Sequence, residues 1–240
     1  MKEVFCIRLT DKHCLTDVDS LGLLVVETDN NLFHVMKNTR PMRRFKADDV
    51  PDVLMEEILD AACCAPNSMN GQPYRFILLR DKAEKNWFGD AYSKAMEERF
   101  IPHLPSEKDQ SKKARNIRSA MNLGENLKVA PLLLLICGER DWPFATPLEQ
   151  RVGLAPPSFG SVFPCIQNIL LACRAKGLGS CLTTIHQIFE GELCQRLGIP
   201  DSYGIVAVLP IGYPLGKFGP VGRRPSRELT FYERWDVVRT

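Results

Sequence analysis

Thr39-Arg-Pro-Met-Arg-Arg-Phe45 and Ala65-Pro-Asn-Ser-Met-Asn-Gly-Gln-Pro-Tyr74 are the two stretches on which the reading of this chain turns. The first sets Arg40, Arg43 and Arg44 within five residues. Guanidinium groups that close repel one another unless an anion sits among them, and their planar, forked donors suit phosphate better than an ammonium does. The second stretch is rich in turn formers and side-chain amides, between a helical pattern and a strand pattern. Two readings stand at this point. The pair is half of a nucleotide-phosphate site with an amide loop bonding a flat heterocycle, or it is a solvated basic face after an ordinary loop.

Working outward, 240 residues make one large domain or two small ones, with ample material for a core. Hydrophobic content of 45% and charged content of 25% are those of a soluble globular protein. A formal net charge of +2 gives no ground for nucleic-acid binding, so any basic site is local. Nine cysteines without a C-x-x-C pair read as small buried thiols in a reducing compartment. No basic segment leads into an apolar run with a cleavage site, and runs such as Pro131 to Cys137 are too short for a bilayer. The expectation is a cytoplasmic protein without membrane partners.

Residues 1–35 carry no chemistry that can be read, beyond a short strand pattern at Leu21 to Val26; they are taken as an N-terminal extension, and 36–240 as one domain. From Pro51 the spacing of Leu54, Ile58, Ala61, Ala62 and Ala65 predicts a helix that Pro66 ends. Phe76 to Leu79 reads as a buried strand. Residues 82–128 are helical in composition but poorly amphipathic. Their charged run from Glu107 to Arg118 reads as a solvated face, and their aromatics, Trp87, Phe88, Tyr92 and Phe100, as part of it or of a lid over a site. Pro131 to Cys137 is a strand buried on both faces, and 142–157, with four prolines, a loop. Ser158 to Lys176 is the strongest helix, apolar on nearly every side, and so central to a large core or a dimer interface. Gln167 and Asn168 inside it are either satisfied in the core or turned to a ligand. Gly177 ends it, Leu178 to Thr184 reads as a strand, Phe189 to Leu197 as a short helix and Gly204 to Gly212 as a buried strand. The tail from Tyr213 is extended and suited to packing along a neighbour, including a second subunit.

Several familiar motifs fail. Gly177-Leu-Gly-Ser-Cys181 follows a helix and enters a strand, the reverse of the dinucleotide fingerprint. His13, His34, His103 and His186 share no metal-ligand spacing, so no metal is expected. No Ser or Cys sits in a nucleophile elbow. Two basic clusters remain, Arg40/Arg43/Arg44 and Arg223/Arg224, with an amide loop and a hydroxyl-rich strand between them. That inventory suits one phosphate and one hydrogen-bonding ring system.

Four blocks in order then resemble the FMN-dependent nitroreductase family over roughly residues 36 to 226. Thr39 to Phe45 is similar to its Arg-Arg-Ser-x-Arg opening, and Ala65 to Tyr74 to its Ala-Pro-Ser-x-x-Asn-x-Gln-Pro-Trp loop. Gln167-Asn-Ile-Leu-Leu-Ala172 with Gly177 to Cys181 matches its central helix and following strand. Pro210-Ile-Gly-Tyr-Pro214 with Arg223-Arg-Pro225 matches its closing segment. The resemblance implies an α+β fold, a central mixed sheet flanked by helices, in an intertwined homodimer with FMN at the subunit interface. It further implies that Arg40 and Arg223 hold the phosphate with Arg224 nearby, and that Arg43 approaches the N1/O2 edge of the ring. Pro66, Asn67, Ser68 and Asn70 would contact the phosphate–ribityl side or the ring, with Gln72 close by, and Leu182, Thr183 and Thr184 would run along the ring near N5. Thr39 and Pro41 depart from the family's arginine and serine. Pro41 lacks an N–H donor, and Arg44 or Arg224 would have to make up the lost charge.

The activity so implied is ping-pong hydride transfer from NAD(P)H through FMN to a nitroaromatic, quinone or similar small acceptor, with no obligatory acid–base residue. The alternatives are reductive dehalogenation, flavin fragmentation as in cobalamin lower-ligand synthases, and a non-catalytic flavin-binding dimer.

Overall fold

A computed structural model describes residues 31–100, 106, 108–140 and 157–237, with nothing said of the side chains of Phe100 and residues 157–159. The strand pattern at Leu21 to Val26, most of the extension and the 142–156 part of the proline-rich loop lie outside the described residues.

The sheet grows outward from its most apolar segment. β1 (Tyr74–Leu79), β2 (Leu132–Glu139), β3 (Gly179–Ser180) and β4 (Tyr203–Gly212) pair in the order β1-β2-β4-β3, antiparallel at each step. The α+β class stands; a mixed sheet needs a parallel neighbour, and the four described strands include none. In β2 the period of two sends Leu132, Leu134 and Ile136 into one apolar cluster and Leu133, Leu135 and Cys137 into the other. Both faces are covered, which is why the strand reads as an unbroken hydrophobic run.

The described residues form seven helices, α1 (Leu32–Asn38), α2 (Asp52–Cys63), α3 (Lys82–Phe100), α4 (Lys112–Met121), α5 (Leu123–Val129), α6 (Pro157–Ala175) and α7 (Glu190–Leu197), and five of them supply that cover. On one face α2 and α6 place Met55, Ile58, Ala62, Ile166, Ile169 and Cys173 against the sheet. On the other, α3, α5 and α7 contribute Phe88, Tyr92, Met96, Leu127 and Leu193. Gly177 at φ 75 closes α6, with Leu178 N–H donating to the Cys173 carbonyl at 2.7 Å and Gly177 N–H to that of Arg174 at 3.1 Å. A left-handed turn of this kind is cheap only for glycine.

Three expectations need correction. Met55, not Ala61, belongs to the buried face of α2. Three of the α3 aromatics are not a lid: Phe88 and Tyr92 are core residues, and Trp87 packs edge-on against Phe189 at 6.0 Å, while the Phe100 side chain lies outside the description. The strand expected over Leu178 to Thr184 is two residues plus an isolated bridge from Thr183 to Val208. Leu182 swings out between the two and a 3₁₀ turn, Ile185–Ile188, follows at once.

Candidate active site

The arginine segment is held between two others. Met42 N–H donates to the Ser180 carbonyl at 3.0 Å, Lys46 N–H to that of Tyr213 at 2.8 Å, and Leu215 N–H to that of Arg44 at 3.0 Å. Met42 and Phe45 are buried anchors, so the arginines between and beside them turn away from the core. At Gly179 an added Cβ would stand 2.7 Å from the Met42 Cβ and 3.0 Å from the Pro214 Cβ, and only glycine permits so close an approach. The end of α1 meets the tail through Val221 N–H and the Lys37 carbonyl at 3.2 Å. Arg174 lies over the Phe218 ring at 4.2 Å and pins that tail from below.

These contacts enclose two adjoining clefts. The larger, about 740 Å³, is walled by Met36, Lys37, Thr39, Arg40 and Pro41 on one side, by Gln167, Leu170, Ser180, Cys181 and Leu182 at its base, and by Pro220, Val221 and Arg223 opposite. The smaller, about 540 Å³, shares Arg40 and Pro41 and adds Arg43, Arg44, Ser119, Asn122, Asn126 and Lys217. No described carboxylate stands among the walls of either cleft. Among the described residues, Arg40, Arg43, Arg44, Arg223 and Arg224 enter no ion pair. Cations held together with no counter-charge are a site for an anion. The larger cleft adds apolar surface at Leu170, Leu182 and Pro220 and the amide of Gln167, a donor set that fits a phosphorylated ring cofactor.

Of the residues expected from sequence, Arg40, Pro41, Leu182 and Arg223 meet in the larger cleft, and Arg43 and Arg44 in the smaller. Arg224 lines neither. Thr183 is buried, its hydroxyl 3.5 Å from the phenol oxygen of Tyr92, and Thr184 is exposed. The amide loop stands elsewhere. Ser68 N–H donates to Ser161 Oγ at 3.1 Å, near the start of α6. Gln167 is six residues further along that helix, about 9 Å at 1.5 Å per residue. Pro66, Asn67, Ser68, Asn70 and Gln72 therefore line neither cleft of their own chain. The loop is nonetheless built with care: Asn67 Oδ1 accepts from Gln72 N–H at 2.9 Å, and Met69, Asn70 and Gln72 all have positive φ, at 56°, 52° and 47°. Non-glycine residues held there store strain of the kind that collects at ligand sites.

Sequence reasoning missed Lys37, Ser119, Asn122, Asn126 and Lys217. Of the two amides left open, Gln167 faces the larger cleft, while Asn168 Nδ2 donates to the Ala61 carbonyl at 3.2 Å. Thr39 Oγ1 donates to the Val35 carbonyl at 2.6 Å, so the hydroxyl standing in the family's arginine position is spent on closing α1.

Burial governs the titratable groups. It raises the Tyr92 phenol, with the bond from Thr183 and the charge of Arg43 opposing it. The Cys181 thiol rises to about 11 despite Arg43, and those of Cys165 and Cys173 to about 12. These thiols stay protonated and act as small apolar groups. Among the described residues no set of three or more metal-ligating side chains occurs, and no helix is long and apolar enough to cross a membrane.

The model of the nitroreductase family matches residues 36–213, which hold every wall of both clefts except the tail's. The chain belongs to the nitroreductase family. Its relatives divide in activity. An iodotyrosine deiodinase of Thermotoga neapolitana is 29% identical over 185 residues, 76% of this chain and 88% of that one. An NADH dehydrogenase of Thermus thermophilus is 25% identical over 217 residues, 80% and 91%. A solved iodotyrosine deiodinase with FMN and 3-iodo-L-tyrosine bound superposes with a TM-score of 0.64 at 25% identity, over 86% of this chain and 100% of that one.

Proposed function

We propose that this nitroreductase-family chain is an FMN-dependent NAD(P)H oxidoreductase that passes electrons to a nitroaromatic, quinone or similar small acceptor. One observation carries the reading: Arg40 near the start of the matched region and Arg223 in the tail wall the same cleft, with no carboxylate among the described residues to neutralise them. When bound there, FMN would supply the redox chemistry, hydride acceptance from a nicotinamide and ping-pong delivery of electrons to the acceptor.

The chain's part is to bind and orient. Arg40, Arg223 and Lys37, which line one cleft, would hold the phosphate, a group of about two negative charges. Lys37 thereby replaces the charge lost at Thr39, a task that the position of Arg224 outside the cleft does not favour. Arg43 offers a fixed cation to negative charge at the pyrimidine edge of the ring. Leu182 and Leu170 give the ring an apolar wall, and Gln167 gives it or the ribityl chain an amide. The loop from Pro66 to Gln72 joins the site in a homodimer, where a second copy carries its own loop to this cleft. Leu32, Phe33, Met36 and Phe163, exposed apolar groups of α1 and α6, support such an interface. A cytoplasmic setting belongs to the same reading, since a reducing compartment keeps the thiols uncrosslinked.

The test is a visible spectrum of the pure protein followed by anaerobic titration with NADH and NADPH. A bound-flavin spectrum bleached by either nicotinamide is expected; protein that stays colourless after FMN addition defeats the reading. The deiodinase relatives favour a second reading, reductive dehalogenation at the same site. Loss of halide from a halophenol, followed by mass spectrometry, separates the two.

A further inference from the structure

We propose that the smaller cleft is an anion-selecting subsite for the reactant that visits the flavin, and that it takes a phosphate or carboxylate carried by that reactant. The inference rests on the flavin reading above and names its substrate class.

Charge balance is the ground for it. Lys37, Arg40, Arg43, Arg44, Lys217 and Arg223 line the two adjoining clefts, and among the described residues no Asp or Glu lines them. A phosphomonoester brings about two negative charges, and the three cations of the larger cleft suffice for it. Arg43 answers the ring edge. Arg44 and Lys217 remain, and no carboxylate among the described residues pairs with either. The chain's formal net charge is only +2, so this surplus is a local feature and not the spill of a basic protein. Uncompensated like charge in a concave site raises the local concentration of anions and strengthens as water leaves.

The remaining walls suit an oxyanion on a polar body. Ser119 Oγ accepts from Arg43 Nη1 at 3.4 Å, and the amide side chains of Asn122 and Asn126 stand beside it. Arg44 is fixed through its carbonyl to Leu215 N–H at 3.0 Å, which sets Lys217, two residues on, across the cleft. At about 540 Å³ the space admits a nucleotide phosphate or a benzoate-sized acid. An uncharged quinone gains nothing from these groups.

The experiment is calorimetric titration of the FMN-saturated full-length protein at low ionic strength with two non-turnover pairs, NADP⁺ against NAD⁺ and 4-nitrobenzoate against nitrobenzene. At least one charged or more highly charged member is expected to bind about tenfold more tightly than its counterpart, the gap closing with added salt. Lys217→Ala removes most of that gap while FMN remains bound. A gap in the first pair assigns the cleft to the donor's phosphate; one in the second, to an acidic acceptor. Equal affinities within both pairs, a gap that survives Lys217→Ala, or release of FMN by that substitution overturns the proposal. A wild-type protein that takes up no flavin is seen beforehand in the visible spectrum and defeats the earlier reading instead.

Discussion

Arg40 walls both clefts, and Arg223 closes the larger one from the opposite side. A charge-assisted hydrogen bond of this kind contributes about 1.5–3 kcal/mol, so Arg40→Ala or Arg223→Ala is expected to weaken FMN binding roughly ten- to a hundredfold, read by quenching of flavin fluorescence. Arg224→Ala, outside both clefts, should leave it nearly unchanged. His186 gives a second prediction. It is fully buried, its Nε2 lies 2.8 Å from the Ile205 carbonyl oxygen, and its Nδ1 has no partner. Burial holds its pKa below the ordinary 6.5, with the Ile205 bond and Glu190 opposing. As pH falls through 6.5 the unfolded chain takes up the proton first, so stability is present above that value and declines below it. Thermal melts from pH 8 down to 5.5 should therefore show the gap between wild type and His186→Gln narrowing. The arginines were legible in the sequence because charge clustering within five residues is local information. Lys37, Ser119, Asn122 and Asn126 were not, because only the packing of α1, α4 and α5 beside the arginine segment gives those ordinary surface types a common direction.

Among the elements, α3 and α5 cross closely through facing glycines. A Cβ on Gly89 would meet the Gly124 carbonyl oxygen at 2.8 Å, and one on Gly124 would stand 2.0 Å from Ser93 Oγ. Alanine in a helix gains about 1 kcal/mol over glycine, while overpacking costs about 1–3 kcal/mol. The backbone contact decides the sign at Gly89, and Gly89→Ala should lower Tm by about 2–4 °C in calorimetry. The elements whose patterns were clearest in the sequence fall where expected: β2 by its run length, α6 by its apolar sides and Gly177, and α7, Glu190–Leu197, within a residue of the span expected for it. α3 misled because its buried aromatics lie among charged neighbours that blur the period. Leu178 to Thr184 misled because small and hydroxyl residues suit a strand as well as a bend, and the choice was made by Thr183 reaching Val208 and Tyr92.

For the whole molecule, the amide loop and the larger cationic cleft meet separate stretches of α6, while Phe33 is 68% and Trp235 82% exposed. Apolar groups so displayed, with a strained loop that reaches no cleft of its own, lead to the homodimer of the proposed function. Sedimentation at micromolar concentration should give twice the 27.1 kDa chain mass, and Phe33→Glu should shift it toward the monomer with loss of flavin. Coincident loss is the informative outcome; a monomer that keeps FMN contradicts a shared site. The separation of loop and cleft could not be read from sequence, because a spacing along the chain does not say which copy completes which site. The convergence of Arg40 and Arg223 on one phosphate is tested most directly by comparing FMN with riboflavin, which differ only in that group, on flavin-free protein. FMN should bind about a hundredfold or more tightly, and the preference should collapse in the Arg40→Ala/Arg223→Ala double variant. Equal affinity for the two flavins, or a preference that survives the double substitution, would contradict it.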